Sequence, residues 1–390
     1  MERIYLDHGA TTPLDPRVLE AMMPFLKENF GNPSSLHFFG REVKKQLEEA
    51  RERIAFILGA EPEEIIFTSG GTEADNLALT GAAHALKEKG KHIITTAVEH
   101  HAVLDSCAVL KEEGFDVTIL PVDGYGMVDP RHIKDSIRED TLLVSVIYGN
   151  NEVGTVQPLE EIGKITREKG VLFHTDAVQA VGNLPLEVDK LRVDLLALSA
   201  HKFYGPKGVG ILYCRQGTEI KRMIHGGGQE RSRRAGTENV SGIIGMARAM
   251  DIAVEEIEEN TKRIENLRNK LIEGLLSIED VYLNGHPTRR LAGNVNASFE
   301  YIEGEALLLS LDFKGIAASS GSACSSGSME PSHVLLAMGI PEQTAHGSLR
   351  FTLGRHTTEE EIDYVLEVVP EAVQKLRDMS SIYQGKGERR

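Results

Sequence analysis

The 390-residue chain has no tryptophan, 5% aromatic residues and three cysteines, Cys107, Cys214 and Cys324. Cysteines so few and so scattered exclude a disulfide framework or a thiolate zinc site. No apolar run approaches the ~20 residues that a membrane helix needs. The opening, MERIYLDHGATTP, lacks the apolar stretch of a secretory signal, so a reducing cytoplasm is the expected setting. Positive charge is scarce as well: 43 Lys and Arg stand against 59 Asp and Glu, a net charge of −16. A surface that acidic repels phosphate backbones and anionic lipids, which argues against nucleic-acid binding and membrane docking. What the chain does have is glycine, 38 residues, and 41% hydrophobic residues, at a length that allows more than one domain and a large core.

Through the first two thirds, short apolar runs alternate with longer helical patterns. EEIIFTSGG runs from strand into a glycine turn, and TEADNLALTGAAHALKEKG continues as a helix with a basic end and a closing glycine. KHIITTAVEH precedes HAVLDSCAVLKEEG, DTLLVSVIYGNN precedes LEEIGKITREKG, and VLFHTDAV and VDLLALSAHK are further strands. That alternation predicts crossover units and a mostly parallel sheet. From about Gly245 a long helical pattern begins, with Ile257, Ile264 and Leu271 at every seventh position, reading as a bridge out of the first domain. Beyond it NVNASFEYI, IAASSGSA and SLRFTLG read as strands, and GEALLLSLDFKG, PSHVLLAMG and EEEIDYVLEVVPEAVQKLRDM as helices, which predicts an α+β second domain. The last residues, YQGKGERR, offer no apolar anchor.

Several residues could carry chemistry. In LSAHKFYGPKGVG, Lys202 follows a strand and faces a glycine-rich bend. It is either a surface lysine at a strand end or, with Ser199 and His201 at the carboxyl edge of a sheet, a Schiff-base lysine in a dry site. In HTDAVQAVG, Asp176 is either a helix cap or the carboxylate that holds a pyridinium proton, with Gln179 close behind. Gly70, Gly71 and Thr72 enter a helix whose amides favour an anion; the turn lacks the lysine of a P-loop, which argues against ATP or GTP. His100 and His101 are a solvent-facing and a capping histidine, or one of them stacks on a planar cofactor. Arg350 is an ion-pair partner or a two-pronged clamp on a carboxylate, to which Asn151 could donate its amide.

Taken together, LDHGATTP, GNPSS, SGGTEADN, EHHAV, NNEVGT, HTDAVQAVG, SAHKFYGPKGVG, HGGGQERSRRAGTENV, SSGSACSSGS and LRFTLGR, in that order, resemble the cysteine desulfurases of the NifS/IscS type. These belong to the class V aminotransferases among the fold-type I pyridoxal phosphate enzymes. The resemblance runs nearly end to end. It implies an α/β fold: a large cofactor-binding domain (15–258) with a mostly parallel seven-stranded sheet, and a smaller α+β domain from 1–14 and 259–390. It implies that Lys202 carries pyridoxal 5′-phosphate, Asp176 pairs with the pyridinium nitrogen, Gln179 with the phenolic oxygen, and His100 stacks on the ring and takes part in catalysis. Gly71, Thr72, Ser199 and His201 would hold the phosphate. Thr237 would reach the phosphate of a neighbouring subunit in a homodimer, and Asn151 and Arg350 would hold the carboxylate of L-cysteine. The implied product is L-alanine, with the sulfur left on Cys324 as a persulfide and passed to an acceptor or Fe–S scaffold protein. No metal is expected. Two features depart from the pattern: His8 stands where relatives carry other residues, and the C-terminus is short beside the IscS proteins, which bears on scaffold docking.

Cys324 itself sits in SSGSACSSGS, among residues that cannot pack a core. Ser and Gly on both sides predict an exposed, mobile loop, able to bring one thiolate first to the substrate sulfur and then to an acceptor. Cys107 in a helical pattern and Cys214 in a strand are expected in the core. A selenocysteine lyase or aminotransferase on the same fold, and a platform without catalysis, are the alternatives.

Overall fold

A computed structural model describes residues 3–320, 330–380 and 383. Its strands are β1 (Ile4–Tyr5), β2 (Ile65–Thr68), β3 (His92–Thr96), β4 (Asp116–Leu120), β5 (Thr141–Ser145) and β6 (Leu172–Asp176). Then come β7 (Leu195–Ser199), β8 (Gly210–Cys214), β9 (Val281–Asn284), β10 (Asn294–Phe299), β11 (Ile316–Ala317) and β12 (Ser348–Thr352).

Seven strands form one sheet in the order β2-β8-β7-β6-β5-β3-β4. β8 runs antiparallel to both neighbours, and the other pairings are parallel. This is the mostly parallel α/β sheet that the strand–helix alternation predicts. β2, β3, β5, β7 and β8 are buried at every position, as a sheet covered on both faces requires. Ile94, Val144, Phe173 and Leu196 pack one face, and Ile93, Leu143, Leu195 and Leu212 the other. The strand order reverses between β3 and β5. Ligands of open α/β sheets bind at that switch, outside the carboxyl ends of the strands. Those ends here are His100 after β3, Asn150 and Asn151 after β5, Asp176 closing β6, and Ser199 to Lys202 after β7.

A separate cluster of Leu6, Leu271, Val295, Phe299, Phe351 and Val369 forms a second core. It lies on the antiparallel sheet β12-β10-β9 and the pair β1-β11. The N-terminal segment runs beside β12, where Thr352 donates to the Leu6 carbonyl at 2.7 Å, and so brings LDHGATTP to the mouth of the site. The long helix expected from Gly245 is two helices, Val240–Glu255 and Ile257–Leu276. The break falls at Glu256 (φ −103, ψ 4). Its carboxylate is taken by Arg17 at 2.7 Å and Arg355 at 3.2 Å. The seven-residue recurrence belongs to the second helix alone. β9 and the helix Glu342–His346 are too short for a periodic pattern. Edge strand β4 is half exposed, which blurs its alternation.

Candidate active site

The carboxyl ends of β2, β3, β5, β6 and β7 enclose a cavity of about 280 Å³. Gly71, Thr72, His100, Asn151, Asp176, Gln179, Ser199, His201 and Lys202, nine of the predicted residues, line it. Arg350 and Thr237 are not among its lining residues.

Lys202 leaves β7 through a single tight turn, Ala200–Lys202. Its Nζ donates to the carbonyls of Gly9 at 2.7 Å and Ala10 at 2.8 Å. Gln179 Nε2 donates to the same Gly9 carbonyl at 2.9 Å. These contacts draw the N-terminal segment over the cavity. Asp176 closes β6 with its carboxylate turned back to the Val178 amide at 2.9 Å, a local turn contact that holds it at the cavity wall. Burial raises its pKa, against the pull of His100, the Val178 N–H and Lys202; a cationic ring nitrogen in the cavity would favour the ionised form. His100 caps the helix His101–Glu112, its Nδ1 accepting from Ala102 N. His100 thus caps this helix and also lines the cavity. His201 is pushed down to about 4 by burial and by Lys202, so it is a neutral donor or acceptor.

The phosphate turn is built by glycine. Gly70 (φ 155, ψ −176) holds a conformation that side chains avoid, and a Cβ on Gly71 would lie 2.6 Å from Val178. No side chain caps the helix Gly71–Leu86 that begins there, so its first amides are open to an anion. An anion cradle, a carboxylate and a lysine at the edges of one planar-sized cavity fit pyridoxal phosphate.

Arg350, on β12, is 1% exposed. It donates to the Asn151 carbonyl at 2.9 Å and to Asp7 at 3.0 Å, while Nε has no partner among the described residues. The ion-pair reading therefore holds, with Nε left over as a buried donor. Thr237 is exposed and lies outside the cavity. Cys324 lies outside the described residues. Cys107 and Cys214 are buried as expected, and burial pushes their thiols to about 12 and about 11, which leaves neither a thiolate near neutral pH. His8 Nδ1 donates to the Thr352 carbonyl at 2.9 Å, and its ring fills the space where a Cβ on Gly354 would lie.

Sequence reasoning missed three buried carboxylates, of which Asp75 lines the cavity. Glu99 accepts from Thr96 Oγ1 at 2.5 Å and Ile147 N at 3.0 Å, and burial pushes it to about 8. Glu152, bonded to Ser332 Oγ, is pushed by burial to about 7. Asp75 faces His174 at 3.4 Å; burial raises the first and lowers the second to about 3. Asp75 and Glu99 stand in motifs read for their neighbours, and nothing in the spacing marks an acidic residue as buried.

These groups set a pH dependence. Glu99 and Glu152 keep protons in the fold that the unfolded chain gives up in the ordinary carboxylate range. The folded state thus binds more protons, and stability falls as pH rises through about 7 to 8. His174 has the opposite sign, but acts only below the ordinary imidazole range. Unfolding of the cofactor-free protein should therefore show stability dropping between about pH 6.5 and 8, by up to about 1.4 kcal/mol per pH unit for each group. Glu99→Gln should flatten the drop; a slope as steep as the parent's would contradict the assignment.

A family model, Aminotransferase class-V, matches residues 4–365. The chain belongs to that family. Within it, the chain is 58% identical over 379 residues to "Cysteine desulfurase IscS" of Methanosarcina thermophila, covering 97% of this chain and 94% of the relative. It is 56% identical over 382 residues to "Cysteine desulfurase IscS" of Dictyoglomus turgidum, covering 98% and 97%. A solved NifS-like protein superposes with a TM-score of 0.91 at 44% identity, covering 96% of this chain and all of that one. A structure described as SspA in complex with cysteine gives a TM-score of 0.80 at 36% identity, covering 91% and 100%.

Proposed function

We propose that the chain is a pyridoxal phosphate-dependent cysteine desulfurase, converting L-cysteine to L-alanine and leaving the sulfur on Cys324. The observation that carries this is the convergence of Lys202, Asp176, His100 and the Gly71–Thr72 turn on one cavity. Pyridoxal phosphate, when bound, supplies an electron sink for the charge that develops at the substrate Cα.

The protein's own groups do the rest. Lys202 Nζ would hold the cofactor between turnovers and would serve as the base for the substrate Cα proton. The Gly9 and Ala10 carbonyls hold that amine in place. Asp176 would pair with the ring nitrogen, Gln179 with the phenolic oxygen, His100 would cover the ring, and Gly71, Thr72, Ser199 and His201 would hold the phosphate. Asn151 and Arg350 hold the carboxylate and so aim the Cα proton at Lys202. The Cys324 thiolate attacks the substrate sulfur: the C–S bond breaks, an S–S bond forms, and the remaining carbon skeleton leaves as alanine. We give the proton exchange at that sulfur to His100, which lines the cavity.

We place the division between the two domains near residues 14 and 258, which puts the cavity on the larger one. We also infer a homodimer to which Thr237 contributes across the interface. Its exposure outside its own chain's cavity supports this, as do the exposed large apolar side chains of Phe30 (76%), Leu36 (90%), Phe38 and Phe39, close together in the chain. No helix among the described residues is long and apolar enough to cross a membrane. A cytoplasmic site and a sulfur-acceptor or Fe–S scaffold partner complete the reading.

The test is alanine formation from L-cysteine with dithiothreitol present, with L-selenocysteine alongside. Equimolar alanine and sulfide support the reading; 3-mercaptopyruvate from the same incubation would point to transamination instead, and pyruvate with ammonia to β-elimination. Arg350→Ala should raise KM for cysteine at least about 30-fold, since removing one partner of a buried charge pair costs about 2–5 kcal/mol. It should also lower kcat. An unchanged KM would place the carboxylate elsewhere.

A further inference from the structure

The loop that carries Thr237 has an unusual anchorage. Glu230, Arg231 and Ser232 have φ of 44, 54 and 64, three consecutive left-handed residues that each bear a Cβ. Such a run persists only where its surroundings over-determine it. Here Glu230 is buried, and its carboxylate accepts from Arg51 Nη1 and Nη2, both at 2.9 Å, and from the Phe67 amide at 2.9 Å. Arg51 also donates to the Ile65 carbonyl at 2.8 Å and lies 4.5 Å over the Phe67 ring.

A second tie repeats the arrangement. Arg234 grips Glu73 at 2.8 and 3.2 Å, and the Glu73 carboxylate accepts from the Ser69 amide at 2.8 Å. Within the loop, Gln229 accepts from Gly236 N at 3.1 Å, immediately before Thr237. Phe67 and Ser69 flank Thr68 and lead directly into the Gly70–Thr72 turn. Each carboxylate thus holds a backbone amide at the end of the phosphate strand: Glu230, itself in the loop, holds the Phe67 amide and is clamped by Arg51 of the helix Phe38–Leu58, and Glu73 holds the Ser69 amide and the loop's Arg234.

We propose that Glu230 and Glu73 are positioning residues that tie the loop bearing Thr237 to its own subunit's phosphate turn, so that the two cofactor sites of a dimer are coupled. This rests on the reading that Thr237 serves the neighbour's phosphate. Anion binding at one turn steadies that subunit's loop, the loop steadies the phosphate next door, and by linkage the effect is reciprocal. Neither glutamate touches the cofactor cavity with its carboxylate; each acts through the amide and the loop it holds.

Mixed dimers of the full-length protein test this. One chain carries Lys202→Ala, so that only its wild-type partner shows the visible cofactor band, and pyridoxal phosphate is titrated into the apo-dimer. Adding Glu230→Gln to the Lys202→Ala chain should weaken binding at the partner's site at least tenfold. It should also speed amide exchange across residues 226–239 of the mutated chain. Glu73→Gln, half-buried and so less disruptive to folding, should do the same in direction. Unchanged affinity at the partner's site with either glutamine, while Thr237→Ala in the same chain lowers it, would overturn the coupling and leave the Thr237 reading intact. If Thr237→Ala also leaves the partner's site unchanged, that reading fails and the proposal with it.

Discussion

Lys202→Ala should yield a protein without the cofactor's visible absorption and with desulfuration reduced about 10⁴-fold or more, the upper range for loss of a positioned acid–base group. Lys202 lines the cavity and is held at 2.7 and 2.8 Å by the Gly9 and Ala10 carbonyls, both backbone groups, so the mutation leaves their geometry to the chain. Lys207 lies beyond the Gly205–Pro206 bend and does not line the cavity; it cannot substitute. Pyridoxal phosphate should still bind through the Gly71–Thr72 turn and Asp176, more weakly and without a bond that borohydride can fix. A variant in which borohydride still fixes the cofactor would show that another amine carries it.

Cys324→Ser should divide the reaction. Lys202, Asp176 and Arg350 remain, so cofactor loading and cysteine-dependent spectral change should persist. Sulfur release should fall below about 1% of wild type, because a hydroxyl is a far poorer nucleophile and cannot carry a persulfide. The other two thiols cannot compensate, buried as they are and pushed up to about 12 and about 11. Gly327→Pro should slow turnover less completely, since the thiol remains while the chain around it loses freedom. Wild-type sulfide release from the serine variant would move the chemistry to another group.

The sheet was legible because its strands, buried on both faces, read as short continuous apolar runs between helices of clear periodicity. The residues that end those strands were legible for the same reason: a strand's carboxyl end is where an α/β sheet binds, so Asp176, Ser199 and Lys202 declared themselves by position. Glu256 shows the limit. Nothing in a run of helix-forming residues announces that one glutamate will be drawn between Arg17 and Arg355 and break the helix. Arg350 shows another: its strand was visible, but its contacts with Asp7 and the Asn151 carbonyl join residues far apart in the chain. The buried acids Asp75, Glu99 and Glu152 were illegible because burial is a property of the packed molecule. The ties from Glu230 and Glu73 were hidden likewise, in a stretch whose arginines read as a polar surface loop. Thr237 took its meaning from resemblance alone, since a single chain places it in solvent.

The most direct measurement follows the sulfur atom. In a single turnover without reductant, L-[³⁵S]cysteine should give one alanine for each label retained by the protein, with the label on the peptide containing Cys324 and released by dithiothreitol. Label on Cys107 or Cys214, or alanine formed with no label retained, would contradict the account.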